Sequence, residues 1–306
     1  SKQLNFVLPL GKMASVKEWP NIINWQLKIS ATKCCVLNIG RQSTAPTYYI
    51  DGQSLPNVDQ STDLGITIEN KLKFSKHINI IVRKAITRAN LILKCFYSRD
   101  THTLVRAFKV YVRPIVEYCS SAWSPHLVKD IILLESVQRK FTKRLTGMQN
   151  IPYLERLRQL NLERLDVRRL RADLILAYKI LFGITGETDI SQFFTFCDNL
   201  HNTRGHQFKL LATRANRDTR NYFFSNRVIR AWNSLPQSTN FSSLRTFRKS
   251  LYGSYLENCC VVCYWDIRVL NLVNCNAYSS LHDVFILHLN VCRNAFICDM
   301  LCTIVS

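Results

Sequence analysis

Apolar residues recur along most of this chain at the spacing of an α-helix. In "FSKHINIIVRKAITRANLILKCFY", Ile78, Ile81, Val82, Ala85, Ala89, Ile92 and Phe96 fall on one side of a helix, with Ser75 as its N-cap. Lys76, Arg83 and Lys94 project from the back of that stripe, and Lys84 and Arg88 lie nearer its flank. A second helix is predicted from Thr103 to Tyr118, kinked or broken at Pro114 because proline cannot donate to the helical ladder. After a turn around Ser124-Pro125, Leu134, Val137, Phe141 and Leu145 form another stripe, with Arg139, Lys140, Lys143 and Arg144 on the opposite side. Residues 152 to 183 predict a short helix and then a longer one through "RRLRADLILAYKILFG". Further on, Phe224, Val228 and Trp232 sit four apart, a helix stripe that reads as core. Pro236 ends that helix and another starts near Ser242.

A period of two is confined to the first seventy residues. From Trp25, "WQLKIS" alternates apolar and polar, and "CCVLNIG" follows as a second short strand ended by Gly40. "TYYIDGQSLP" predicts a hairpin turning at Asp51-Gly52, and "DLGITI" one more strand. Residues 1 to 20 show no clear period. The expected fold class is therefore mainly α with a small N-terminal antiparallel β region (α+β): a basic helical bundle followed by a poorly ordered, Cys-rich tail. The expected divisions are 1–70, β-containing; 71–183, basic and helical; 184–252, arginine- and aromatic-rich; and 253–306, the tail.

Charge changes the picture more than length does. The 306 residues carry a net charge of +20, which points to nucleic acid or an anionic surface as partner. Between Glu135 and Arg171 ten Lys or Arg face four acids. Because several helices repeat that bias, Lys84, Arg88, Arg139, Lys140, Lys143, Arg144, Arg168, Arg169 and Arg171 are candidate phosphate contacts. Arg204, Arg214, Arg217 and Arg220 lie in a polar connector and join them. Tyr222, Phe223, Phe224 and Trp232 offer faces on which unpaired bases could stack, although the helical spacing favours core. No run of eighteen apolar residues suggests a membrane span, and no signal peptide opens the chain. Seven of the twelve cysteines lie between Cys259 and Cys302 and the rest are scattered, so a reducing compartment, nuclear or cytoplasmic, is expected. The tail has no lysine and only Arg268 and Arg293, a composition that reads as translated read-through. Cys260 and Cys263, with His282, His288 and Cys292 beyond, are spaced too widely for a compact zinc knuckle.

Five phrases carry a family likeness. "TLVRAFKVYVRPIVEYCSSAWSPH" followed by "LESVQRKFTKRLTG" resembles the region after the polymerase core of non-LTR (LINE-type) retrotransposon reverse transcriptases. "NWQLKISATKCCVLNIG", "YLERLRQLNLERLDVRRLRADLILAYKI" and "RNYFFSNRVIRAWNSLP" agree in order and spacing, so the resemblance covers roughly residues 20 to 252. It implies that the β-containing segment is a palm–thumb junction and that the basic helices are thumb-like, gripping a template–primer duplex by its backbone. It also implies an upstream polymerase core of the same polyprotein as partner. The opening Ser1 fits a piece of a longer frame.

The same resemblance implies what this stretch lacks. Polymerisation needs carboxylates that hold two divalent cations, Mg²⁺ in the intact parent, and the family supplies them through an Asp-Asp box. No Asp-Asp pair occurs here, and no HExxH, phosphate-loop or GxSxG motif stands in its place. Asp51, Asp59 and Asp63 read as turn and strand-entry residues, and His77 as packing. No cofactor and no catalytic residue is expected in this chain. Two other functions fit the same residues: an independent, non-catalytic helical nucleic-acid-binding module, or a non-functional open reading frame of a decayed element.

Overall fold

The structure is a computed structural model that describes residues 30–39, 47–50, 52–186, 189–197, 205–212, 214–252 and 256, and it divides after His77 into two compact units. The strand expected from Trp25, residue Asp51, Arg204, and the expectations of read-through or zinc in the tail lie outside the described residues.

In the first unit the strands form three separate pairs. β1 (Val36–Leu37) runs parallel to β4 (Asn57–Val58), while β2 (Tyr49–Ile50) and β3 (Gln53–Ser54) make the expected antiparallel hairpin. β5 (Gln60–Asp63) and β6 (Ile66–Glu69) make a second hairpin in a four-residue register. This hairpin corrects the expectation of a single strand in "DLGITI". Leu64 and Gly65 both take positive φ, 48° and 82°, which a two-residue turn matched to strand twist requires. Leucine is a poor residue for that conformation, which is why the turn is silent in the sequence. Cys34, Val36 and Leu55 form a small core with Tyr48 and Ile50 against it. His77 is buried, and its Nδ1 accepts the Thr67 backbone N–H at 3.2 Å. It is packing, as its lack of a partner motif suggested.

The second unit is helical. α1 (Ser75–Cys95) buries Ile78, Ile81, Val82, Ala85, Ala89 and Ile92, the stripe read from spacing, with Phe96 half-buried just past its end. The helix expected at Thr103–Tyr118 is split into α2 (Thr101–Tyr111) and α3 (Arg113–Glu117). Asp100 caps α2 by accepting from the Thr103 N–H at 2.7 Å. The break falls at Val112, which lets Pro114 sit in the first turn of α3, where its missing N–H costs nothing. After α4 (Ser120–Trp123), α5 (Val128–Lys143) buries Leu134, Val137 and Phe141, with Leu145 buried beyond its end and Phe108 stacked on Phe141 at 4.6 Å.

A second core lies between α7 (Leu165–Leu181), which follows α6 (Tyr153–Gln159), and the last helices. These are α8 (Asp218–Asn221), α9 (Phe224–Asn233) and α10 (Leu244–Ser250). Phe224, Val228, Trp232 and Phe247 are all fully buried against Leu174, Ala177 and Tyr178. Burial of each such side chain contributes about 1.5–3 kcal/mol. A division at residue 183, where composition shifts, therefore does not separate two cores: α7 on one side and α9 on the other complete each other's apolar face.

One buried ion pair crosses this core. Arg227 of α9 donates from Nε and Nη2 to the two carboxylate oxygens of Asp173 in α7, at 3.0 and 3.1 Å. It also donates to the Ser121 carbonyl at 2.6 Å and to the Tyr222 carbonyl at 3.2 Å. The Asp173 side chain is 5% exposed and that of Arg227 17%. Removing one partner leaves the other charge buried without compensation. Asp173→Ala is therefore expected to lower unfolding free energy by about 3 kcal/mol, read as a shift in urea midpoint, with Asp173→Leu/Arg227→Met recovering part of it. A single variant as stable as the parent would show that the pair does not hold α9 to α7.

Candidate nucleic-acid interface

α5 carries two acids and four of the cations singled out from sequence, and the fold separates them by burial. Asp130 and Glu135 are turned inward at 5% and 8% exposure, while Arg139, Lys140 and Lys143 and the capping Arg144 are exposed. The outward face of the helix thus keeps its positive charge uncompensated by its own acids. Three of the cations stand in the last turn or at its cap, where they also suit the negative end of the helix dipole.

Below that face a polar network fixes the helix. Tyr153 donates its hydroxyl hydrogen to Glu135 Oε1, and the Leu165 N–H donates to Oε2 at 3.0 Å. Gln138 donates to the Tyr153 hydroxyl at 3.1 Å and to the Glu163 carbonyl at 2.9 Å. Burial raises the Glu135 carboxyl above its usual range, and burial with the neighbouring Glu135 carboxylate pushes the Tyr153 phenol well up. The Arg139 guanidinium lies 4.8 Å over the Tyr153 ring, so one exposed cation is braced on an aromatic face. The Arg144 guanidinium donates to Asn90 Oδ1 at 2.5 Å, tying the end of α5 to α1. On α1, Lys84 and Arg88 are exposed and the helix contains no acid at all.

Three of the expected phosphate contacts are not available on the surface. Arg168 grips Glu117 with two donors, one of them Nη2 at 3.0 Å, and Arg171 grips Glu163 with two, at 2.5 and 2.6 Å. The Arg171 pair holds the Glu163 carboxyl below its usual range. Arg169 is buried among Asp166, Glu135 and Asp173, and burial lowers its guanidinium pKa. These arginines carry a helical period of their own on α7; the acids that capture Arg168 and Arg171 are 51 and 8 positions away and off that helix, while Arg169 lies near Asp166 and Asp173 of the same helix. Arg214 is exposed, while Arg217 and Arg220 are half-buried, the latter with its guanidinium 5.8 Å from the Phe223 ring. Phe224 and Trp232 are core and offer no stacking face. Lys129, exposed in the first turn of α5, was missed; the turn at Ser124-Pro125 was the signal that would have placed it on this helix.

No protein-family model matches the chain, and no solved structure matches it. Over 132 residues it is 28% identical to an uncharacterized protein of Caenorhabditis elegans, a stretch that spans 42% of this chain and 67% of that protein. Among the described residues no group of three or more His, Cys, Asp or Glu is placed to hold a metal ion, and no helix is long and apolar enough to cross a membrane.

Tyr153→Phe removes a donor from a carboxyl that is already desolvated, so it is expected to cost about 1–3 kcal/mol in urea denaturation while keeping the ring under Arg139. It also has a pH signature. A raised folded-state pKa means that the Glu135 contribution is present in acid and fades as pH climbs through that pKa. The variant raises the pKa further, so its stability should fall more steeply than the parent's as pH rises above the ordinary carboxylate range. Parallel pH–stability curves with equal midpoints would show that the bond contributes nothing.

Proposed function

We propose that this chain is the post-palm, thumb-side region of a LINE-type reverse transcriptase, and that it holds nucleic acid by its phosphate backbone without supplying polymerase carboxylates. The observation that carries this is the outward face of α5, where Arg139, Lys140, Lys143 and Arg144 are exposed while the helix's own acids are buried beneath. A rigid helix presenting several solvated cations attracts phosphates at any sequence, because the contact is to charge and not to base edges. Lys84 and Arg88 on α1, and Arg214 in the connector, are exposed as well. The family phrases in the sequence supply the lineage, and the absence of an Asp-Asp pair supports a binding role apart from the chemistry.

Binding to a fixed-length RNA or DNA duplex should weaken steeply with salt and differ little between sequences. Changing Arg139, Lys140, Lys143 and Arg144 together to Gln should weaken binding equally for every duplex and lower the slope of log affinity against log salt by roughly 3. Filter binding across a salt series measures both. Parent-like affinity and slope in the quadruple variant would overturn the assignment of this face. The purified chain is also expected to leave a primed RNA template unextended with Mg²⁺ present; incorporation above a heat-killed control would overturn the division between binding and chemistry.

A further inference from the structure

Away from the cationic helices, an open cleft of about 500 Å³ is lined by Gln207, Phe208 and the segment Ser238 to Ser242. None of its lining residues is charged. Two aromatic rings form its wall: Phe208 and Phe241 are both half-buried, with centroids 5.0 Å apart and planes at 57°. Rings at that angle make a corner and not a closed stack, so a planar group entering it meets one face and one edge. Behind the wall the rings are braced, since Phe241 lies 5.5 Å from Trp232 and 5.4 Å from Phe247. The Phe241 carbonyl accepts from the Tyr178 hydroxyl at 2.8 Å, and the Phe208 carbonyl accepts from Trp232 Nε1 at 2.7 Å. The rim is fixed as well: the Thr239 N–H donates to the Pro236 carbonyl at 3.0 Å, and Asn240 Oδ1 accepts the Ser242 N–H at 2.9 Å.

One polar group of the lining, and one packed against Phe241, have unmet hydrogen-bonding capacity. The Thr239 hydroxyl oxygen is buried with no hydrogen-bond partner in the protein, in a residue 8% exposed. His206, 5% exposed and 5.0 Å from Phe241, has its Nε2 at 2.8 Å from the Trp232 carbonyl and its Nδ1 unpartnered. Because a carbonyl can only accept, Nε2 carries the hydrogen and Nδ1 is left as an acceptor. Among the described residues such atoms occur elsewhere too, Gln138 Oε1 and Arg171 Nε among them, and Thr239 is the one that belongs to the lining of the cleft. Three residues beyond Ser242, on α10, Arg245 stands exposed, with Arg248 exposed one turn later.

We propose that this cleft is a pocket for a single unpaired nucleobase, stacked in the Phe208–Phe241 corner with its backbone phosphate toward Arg245. The neutral lining suits a base, which carries no charge at neutral pH, and the amides of Gln207 and Asn240 supply donors and acceptors for its edge. A single strand bound here differs from the duplex bound by α5, and the proposal rests on that reading only for the partner class.

The test uses the full chain, a single-stranded RNA carrying 2-aminopurine, a duplex of equal length, and free adenosine. Stacking should quench the 2-aminopurine, and adenosine should show saturation transfer from the protein. Ser238→Trp fills the cleft from an exposed position and leaves the core intact; Phe208→Leu removes one wall. Each should weaken single-strand binding about tenfold and abolish the adenosine signal, with duplex affinity unchanged. The quadruple Gln variant of α5 should lose duplex affinity and keep the adenosine signal. If both cleft variants quench and bind like the parent, the pocket assignment is overturned. Adenosine binding that Ser238→Trp abolishes, in a chain that binds no duplex, would uphold the pocket and overturn the reading of α5.

Discussion

The half-buried guanidinium of Arg227 is the constraint on which the helical unit turns. It spends four hydrogen bonds on three segments, the Asp173 carboxylate in α7, the Ser121 carbonyl in α4 and the Tyr222 carbonyl ahead of α9. A carboxylate as buried as Asp173 is tolerated only if its oxygens find donors, and that demand fixes the rotation of α9 about its own axis. With α9 so oriented, Phe224, Val228 and Trp232 face α7 and α10. The aromatic wall of the cleft follows from the same orientation, because Trp232 supports both Phe241 and the Phe208 carbonyl.

Burial sorts the charges of this chain into two populations with different work. Arg168, Arg169, Arg171 and Arg227, buried or half-buried, are matched by Glu117, Glu163, Asp166 and Asp173. Arg139, Lys140, Lys143 and Arg144 stay in water because the opposite side of α5 is committed to Leu134, Val137 and Phe141. Five acids, Glu117, Glu163, Asp166, Asp173 and Glu135, are drawn into the first population or into the network beneath α5. The exposed cations of α5 carry part of the net charge of +20, with the two acids of that helix turned inward. That asymmetry is what makes a backbone-binding role the reading best supported by α5.

The two places proposed for nucleic acid also differ in how they were made. The α5 face is a property of one helix, sixteen residues long, and any solvated run of that sequence would show it. The cleft is a property of tertiary structure: Gln207 and Phe208 meet Ser238–Ser242 only because the intervening helix α9 folds both segments back onto Trp232. A solvated stripe suits a regular duplex backbone, and a braced aromatic corner suits one displaced base.

Helical period alone determined the apolar faces of α1, α5 and α9, since a residue every three or four positions can be buried on only one side. It also determined that Arg139, Lys140, Lys143 and Arg144 would remain in water. Proline chemistry placed the break near Pro114, although the residue that absorbs it, Val112, depended on packing. Sequence could not show that Arg168 and Arg171 of "LDVRRLRADL" would be captured, because Glu117 meets Arg168 from another helix and Glu163 reaches Arg171 from the segment before α7. Nor could it show the turn at Leu64-Gly65, where strand pairing imposes a left-handed conformation that leucine does not favour. Period is local and was written in the chain; the choice of partner for each buried charge is long-range, and only the folded structure decided it.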